Sequence, residues 1–433
     1  MLQALVNAWR IPDLRRKILF TLGMLVIFRM LAQITLPGID IEALRRVFEE
    51  NQVLNLLNVF SGGTLSTFSV VAMGVYPYIT ASIIMQLLVP IVPRLTELSR
   101  EGGEAGRNKI NRYTHYLTVP LAALQGYGQA SLLYSNQVIR EFGLFGPAWL
   151  TTLALITTMT AGTMLLVWMG ELITEQGIGN GISILIFGGI VAQLPTIAGQ
   201  VFSGQGAFAT FFQVLAIIII TLITIVGIVL ITIGERRIPV QYARRVRGNR
   251  VVRGGGSTHI PLKVNYAGMI PLIFAISIMI FPATLAGFFV NANTPWVRSI
   301  ATGIVRFAQP NSWLYQILYF LMVVLFTYFY TLVIFQQQQI PENLQRQGGF
   351  IPGIRPGRPT AVYLQRVLNR ITLIGAAFLG GVAILPFLVG VLLNTQNVLI
   401  SSTSLLIVVG VAIDTMRQLE AQLLMRNYEG FIK

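Results

Sequence analysis

The chain has 433 residues, of which 54% are hydrophobic and 11% are charged, and its formal net charge is +15. A soluble domain with so much apolar surface would aggregate, so the chain is expected to cross a membrane several times. It has no cysteine and two histidines, which excludes disulfides and thiolate metal sites and leaves little material for cysteine or histidine nucleophiles.

Ten membrane-spanning helices are predicted, because a span needs about 20 apolar residues. In chain order they lie near residues 18–36, 75–92, 115–135, 150–170, 180–199, 211–233, 267–289, 314–335, 371–393 and 400–419. The third contains Pro120 and two glutamines, so neighbouring helices should shield it from lipid. The segment before the first span has no signal-peptide cleavage site and is expected to be retained.

The stretch at 58–92 is apolar enough for a membrane, but Gly74 and Pro77 interrupt it. The part before Gly74 is too short to cross. Non-helical backbone is tolerated at membrane depth only where protein or a water-filled cavity surrounds it. We therefore expect this part to line or fill a cavity; the alternative is a single helix kinked by glycine and proline.

The distribution of charge predicts the orientation. If both termini lie on one side, the segments on that side hold 25 of the 31 lysines and arginines. The positive-inside rule then places both termini in the cytoplasm. So much positive charge there suits anionic lipid or an acidic partner such as a phosphate backbone.

The predicted fold class is an all-α polytopic membrane protein whose ten helices form two halves. Residues 1–199 and 211–433 each hold five helices, and an external hinge at 200–210 joins them. Because five is odd, a duplicated unit would insert the second time in the opposite orientation. No residue-level similarity between the halves supports the duplication, so the inverted repeat is a hypothesis.

Acidic residues are scarce in the predicted spans, where Glu171, Glu175 and Asp414 lie towards cytoplasmic helix ends. An ion-coupled transporter generally buries an ionisable group near the midplane. Intramembrane proteolysis needs paired aspartates, a Ser/His dyad or zinc. The chain is therefore predicted not to be an enzyme and to use no cofactor or metal.

Two cytoplasmic loops are long and basic. Loop 234–266 carries eight basic residues and has β-branched residues beside three glycines, which predicts a hairpin that stands out of the membrane. Loop 336–370 contains GGFIPGIRPGRP, which favours a stiff turn that holds Arg355 and Arg358 outward. Docking of a partner is favoured over lipid contact alone, because lipid contact would not need such shaped loops.

Seven motifs are spread, in order, over essentially the whole chain: NVFSGGTLS (58–66), PYITASIIMQLL (77–88), GNGISILIF (179–187), RRIPVQYARR (236–245), STHIPLKVNYAGMIP (257–271), FIPGIRPG (350–357) and TSLLIVVGVAIDTMRQ (403–418). Together they resemble the motifs of the SecY family of bacterial protein-translocation channels. The resemblance implies two five-helix halves around an hourglass pore, a re-entrant plug at residues 61–71 and a lateral gate to lipid.

The resemblance also implies residue roles. The plug includes Ser61, Gly62, Gly63, Thr64, Leu65 and Phe68. The pore ring is Val75, Ile79, Ile182, Ile186, Ile273 and Ile407. The lateral gate, between the helices at 75–92 and 267–289, has Thr80, Gln86 and Asn265 as polar members whose hydrogen bonds would hold it shut. A collar of aliphatic side chains repels water and hydrated ions by dewetting, and gives a passing polypeptide no specific partner.

The chain has no GxxxxGKS or GxxxxGKT phosphate loop, so the energy for transport must come from a partner. The resemblance implies the SecA ATPase or a ribosome, through its RNA, docking on the basic loops, with SecE and SecG as companion subunits. The docking arginines are Arg236, Arg237, Arg244, Arg250, Arg355 and Arg358. Signal peptides, nascent polypeptides and anionic lipids are further expected partners.

The expected function is that of the central subunit of a protein-conducting channel in the bacterial plasma membrane. It would pass unfolded secretory polypeptides and release transmembrane segments sideways into lipid. The alternative is a secondary transporter of a small solute, which fits the broken helix and the possible repeat. That alternative lacks its buried charge and leaves the basic loops unexplained.

Overall fold

The structure is a computed structural model. It describes residues Trp9, 11–50, Asn58, 61–100, 103–139, 141–143, 147–202, 207–242, 246–247, 250–251, 257–287, Phe289, 294–307, 312–393 and 402–429. The helices are α1 (Pro12–Leu31), α2 (Ile41–Glu50), α3 (Tyr76–Leu88), α4 (Pro93–Arg100), α5 (Gly103–Ser135), α6 (Trp149–Gln176), α7 (Gly181–Phe202), α8 (Ala207–Ile233), α9 (Ile270–Gly287), α10 (Pro295–Phe307), α11 (Trp313–Gln338), α12 (Ile340–Arg346), α13 (Arg358–Leu393) and α14 (Ser402–Glu429). The strands are β1 (Glu235–Tyr242), β2 (Val246–Arg247), β3 (Arg250–Val251), β4 (Ser257–Lys263) and β5 (Gly349–Phe350).

The chain is a mainly helical membrane protein, as predicted, and each of the ten predicted spans overlaps one helix. Within the described residues, three helices are long and apolar enough to cross a membrane, at 149–176, 313–346 and 358–391. A fourth span results if α3 and α4, bent by 102° at their break, count as one. Within the described residues, shorter apolar helical stretches of 10–17 residues lie at 181–193, 218–233 and 270–279, inside α7, α8 and α9. Ten therefore stays the predicted number of spans.

The two basic loops build one small sheet. Strands β1 and β4 pair antiparallel, with Ile238 opposite Ile260, which confirms the hairpin predicted for the first loop. Strand β5, from the second loop, pairs with the other edge of β1. The sheet covers an apolar core made of Ile238, Val240, Leu262, Phe335, Leu344, Ile351, Leu364, Val367, Leu368 and Ile371. We call residues 235–242, 257–263 and 340–371 the basic lobe.

The chain divides into two compact units. The first comprises Met1–Val214, Ser277–Tyr315 and Ile407–Lys433, and the second comprises Leu215–Ile276 and Gln316–Leu406. In the first unit, α5 packs between α3 and α6, and α1 packs against α6 and α7. The second unit contains the basic lobe. The division of the chain into five-helix halves at 1–199 and 211–433 stays a prediction.

Candidate functional site

Residues 61–71, which we call the plug segment, form a series of turns that leads into α3. Gly62 and Gly63 have φ of +74° and +84°, a conformation that residues with a side chain rarely adopt. Five of the six predicted plug residues are buried and Gly63 is half-buried; the buried ones are Ser61, Gly62, Thr64, Leu65 and Phe68. The two glycines therefore let the chain reverse direction inside the protein.

Hydroxyl side chains satisfy the backbone of the plug segment. The Thr64 hydroxyl donates to the Ser61 carbonyl at 2.8 Å, and the Ser66 hydroxyl donates to the Gly63 carbonyl at 2.9 Å. The backbone N–H of Ser66 donates to Oδ1 of Asn58 at 2.9 Å. A buried backbone group without a partner costs about 1–3 kcal/mol. The short polar side chains of this motif are thus what make a non-helical path possible here.

A short backbone ladder holds the far end of the plug segment. The N–H of Leu36 donates to the Phe68 carbonyl at 3.1 Å, and the N–H of Val70 donates to the Ile34 carbonyl at 3.0 Å. Phe68 has φ of +40° and no exposed surface. A bulky residue in this left-handed region costs about 1–3 kcal/mol and persists only where its surroundings fix it.

Helices of the first unit enclose the plug segment. A Cβ added to Gly189 of α7 would clash with Cα of Gly62, and one added to Gly162 of α6 would clash with the carbonyl oxygen of Val70. Arg29 of α1 donates to the Gly62 carbonyl at 3.1 Å. The plug segment therefore contacts α1, α6 and α7 and is surrounded by protein.

The predicted pore ring draws on four helices. Its members are Val75 and Ile79 at the start of α3, Ile182 and Ile186 on α7, Ile407 on α14 and Ile273 on α9. Ile273 belongs to the second unit and the other five to the first. Val75, Ile186 and Ile407 are buried, with exposures of 3%, 5% and 0%. Buried aliphatic side chains are what a closed apolar collar requires; the ring itself stays a prediction.

The hydrogen bonds described for the predicted gate residues stay within α3. Thr80 donates to the Tyr76 carbonyl one turn earlier, and Nε2 of Gln86 donates to the Ser82 hydroxyl at 3.2 Å. Within the described part of the chain, Oε1 of Gln86 and Oδ1 of Asn265 are buried without a hydrogen-bond partner. A seam held shut by these three side chains stays a prediction.

Three contacts between helices are not predicted from the sequence. The hydroxyl of Tyr76 donates to the Ser277 carbonyl of α9 at 3.4 Å. Nε2 of His115 on α5 lies 2.9 Å from Oε1 of Glu171 on α6, and the His115 ring meets the ring of Tyr78 edge-on. No group of three or more His, Cys, Asp or Glu able to hold a metal occurs among the described residues. Tyr76 could have been noticed, because a buried phenol needs a partner for its hydroxyl.

The predicted docking arginines are exposed wherever their side chains are described, at Arg236, Arg237, Arg355 and Arg358. Nε of Arg237 lies 2.8 Å from Oε1 of Glu235. Gly353 and Gly357 flank Arg355 with φ of +80° and +98°, as a tight glycine-rich turn requires. Arg244 lies outside the described residues, and Arg250 is described only as backbone of β3.

Sequence comparison relates the chain to protein translocase subunits. The sequence profile of the SecY family matches residues 69–416. The translocase subunit SecY of Thermotoga maritima is 46% identical over 441 residues, which cover 100% of this chain and 98% of that protein. The corresponding subunit of Mycobacterium tuberculosis H37Rv is 43% identical over 450 residues, which cover 100% of both chains.

Solved structures of protein-conducting channels share this fold. One such channel gives a TM-score of 0.61 at 17% identity, over 94% of this chain and 92% of that one. A SecY channel whose plug domain is described as stabilising the closed state gives 0.63, with the same identity and coverage. Sec61 from the canine ribosome–channel complex gives 0.61, again at 17% identity and the same coverage. At this identity the likeness establishes the fold.

Proposed function

This chain belongs to the SecY family, and from that premise we propose that it is the central subunit of a protein-conducting channel. It passes unfolded secretory polypeptides across the membrane and releases transmembrane segments sideways into lipid. The observation that carries the proposal is the plug segment, a buried non-helical stretch enclosed by α1, α6 and α7. Its sequence is the one that the family resemblance assigns to channel closure.

The bonding of the plug segment suits a part that moves. Many of its hydrogen bonds, such as that from Thr64 to Ser61, are internal and can travel with it. Ties to its surroundings include Arg29 to the Gly62 carbonyl, Thr67 to the Ala32 carbonyl and the ladder with residues 34–36. Each neutral bond of this kind contributes only about 0.5–1.5 kcal/mol net, and the bond from the charged Arg29 about 1.5–3 kcal/mol. A polypeptide in transit can therefore displace the segment as a unit: the internal bonds persist, and only the few bonds to its surroundings must break.

Passage then depends on the aliphatic ring. Val75 with Ile79, and Ile182 with Ile186, are pairs four residues apart, so each pair shares one helix face. Apolar walls bind no particular side chain and exclude water when no polypeptide fills them. The ring thus lets different sequences pass while limiting the leak of ions around them.

Lateral release depends on the contact between α3 and α9. A segment of about 20 apolar residues gains free energy by moving from an aqueous path into lipid. The bond from Tyr76 to Ser277 is long, at 3.4 Å, and interhelical bonds in membranes average well under about 2 kcal/mol. An entering signal helix can therefore part α3 from α9.

The basic lobe is the docking surface for the partner that supplies the energy. Its exposed arginines suit a ribosome, whose RNA carries phosphates, or the SecA ATPase. SecE and SecG are the proposed companion subunits, and anionic lipid meets the remaining basic residues. The chain itself catalyses no reaction in this scheme. It resides in the bacterial plasma membrane with both termini in the cytoplasm, and the small-solute transporter has no support among the relatives described above.

A unique cysteine tests the channel directly, because the natural chain has none. We expect Ile186→Cys in the assembled complex to cross-link to a stalled nascent chain that carries a signal sequence and one cysteine. The matched control is Ile27→Cys on α1, whose side chain is 48% exposed, and it should not cross-link. Absence of cross-linking at position 186, or equal cross-linking at both positions, contradicts the proposal. Protection of position 186 by small solutes alone would favour the transporter.

A further inference from the structure

Helix α10, between α9 and α11, leaves a stripe of large apolar side chains exposed. Trp296, Ile300, Ile304 and Phe307 are 69%, 56%, 37% and 43% exposed. At about 100° per residue these four side chains fall within one sector of the helix about 80° wide. Single exposed apolar residues are ordinary, but an aligned set on one helix face marks a surface with a partner.

The other two sectors of α10 have different surroundings. Val297, Ala301 and Val305 follow one another along a second sector, where Ala301 is buried and the two valines are half-buried. The third sector is polar and carries Arg298, Ser299, Thr302 and Arg306. One side of α10 thus packs on protein, one is polar and one is apolar and uncovered.

The chain keeps α10 close to the membrane surface. Only five residues separate Phe307 from Trp313, where α11 begins, so the gap spans at most about 20 Å. Helix α11 is among the helices long and apolar enough to cross a membrane. Trp313 and Ile317 at its start are 60% and 55% exposed, as expected for an aromatic belt followed by lipid-facing residues.

We propose that α10 lies in the membrane interface, with its apolar sector inserted among lipids at the boundary of headgroups and acyl chains. Arg298 and Arg306, on the polar sector, are placed to meet lipid phosphates, a charge match typical of interfacial helices.

A second protein fits the apolar sector less well. A fully exposed side chain of this size offers at most about 150–250 Å². At their observed exposures the four side chains offer less than the ~800 Å² that each partner contributes to a standard protein interface. Because α10 follows α9, its insertion would also anchor one end of the helix that the resemblance assigns to the lateral gate. That consequence rests on the proposed function, whereas the lipid contact does not.

Spin labels on single cysteines test the proposal in the full complex, reconstituted into vesicles of phosphatidylethanolamine and phosphatidylglycerol. The labelled variants are Ile300→Cys and Ile304→Cys on the apolar sector, with Ser299→Cys as the matched control on the polar sector. We expect a several-fold higher ratio of oxygen to nickel-complex accessibility at 300 and 304 than at 299. Equal ratios would place the apolar sector in water, and low accessibility to both reagents would place it against protein; either result overturns the proposal.

A second measurement uses no cysteine and no spin label, so that neither can disturb the position of α10. The fluorescence difference between the unmodified complex and Trp296→Phe reports the environment of Trp296. We expect this difference signal to be blue-shifted and quenched by lipids brominated near the headgroup end of their acyl chains. A difference signal that brominated lipids leave unchanged overturns the proposal, whatever the translocation activity of the complex.

Discussion

The plug segment and the sheet of the basic lobe are both non-helical, and they satisfy their backbone groups in different ways. In the plug segment polar and apolar side chains are buried together: Thr64 and Phe68 have no exposed surface, and hydroxyls bond to the backbone. In the basic lobe the backbone pairs with itself in a sheet, Leu262 is buried in the apolar core, and arginines such as Arg355 are exposed.

The difference follows from the solvent that each region meets. The lobe can leave strand edges and charges to water, whereas a buried segment in a membrane protein needs protein partners for its donors and acceptors. The plug segment should therefore be sensitive to volume and to single hydroxyl groups. The lobe should be sensitive to surface charge in its binding and to core volume in its stability.

The largest expected effect is that of Arg355→Glu in the basic lobe. Reversing this exposed charge should abolish translocation because it opposes docking of an acidic or RNA-bearing partner, while membrane insertion of the subunit stays intact. Translocation into vesicles, together with a count of inserted subunits, measures both. Arg112→Glu, an exposed charge reversal on α5, is the control and should retain most activity. Normal transport by Arg355→Glu would remove the docking hypothesis.

The next effect concerns the core beneath the sheet. Leu262 has no exposed surface, so Leu262→Ala should destabilise the lobe by about 2–5 kcal/mol through lost contacts and a cavity. Hydrogen exchange of the β1 amides measures this loss. Val362→Ala, at a side chain that is 52% exposed on α13, should change the same amides by less than about 0.5 kcal/mol. Similar changes in the two variants would mean that the lobe has no independent core.

In the plug segment, volume should matter more than charge. Gly189→Ala places a methyl group against Gly62, and overpacking of this kind costs about 1–3 kcal/mol. We expect a lower Tm of the complex and a larger ion leak in planar bilayers. Gly23→Ala on α1, where nothing lies within 4 Å of the added atom, should leave the leak unchanged. A tight seal in Gly189→Ala would show that α7 does not hold the plug segment.

The smallest effect is that of one hydroxyl group. Thr64→Val keeps the side-chain shape but removes the donor to the Ser61 carbonyl, which should lower stability by about 0.5–1.5 kcal/mol. Thr157→Val, at an exposed threonine bonded to its own helix at Leu153, should be nearly neutral. Thermal unfolding of both variants in the same detergent gives the comparison, and equal shifts would contradict a special role for the buried hydroxyl.

Much of the fold could be predicted from the sequence because apolar periodicity and glycine–proline breaks act locally. The helical class with a helix at each predicted span, the interruption at Gly74 and Pro77, and the hairpin of the first basic loop all follow from residues close together in the chain. The addition of β5 to that hairpin and the bond from Tyr76 to Ser277 depend on residues far apart in sequence. No local pattern specifies such pairings.

The site residues show the same limit. The plug segment was placed by its motif, but its enclosure by Gly162 and Gly189 became visible only through backbones that approach too closely for a Cβ. The family resemblance assigns Gln86 and Asn265 to the lateral gate, but sequence alone cannot tell which partner a buried amide will find. Helix α10 was missed because its apolar stripe is shorter than a span.

Helix α13 begins at Arg358 in the basic lobe and continues to Leu393 through an apolar stretch long enough to cross a membrane. Its 36 residues correspond to about 54 Å of helix, with Pro386 near the far end. Strand β5, which precedes α13 in the chain, pairs with the hairpin of the other basic loop. A force applied to either basic loop is therefore transmitted to α13. A partner that presses on the basic lobe would therefore tilt α13 and move its apolar stretch within the bilayer.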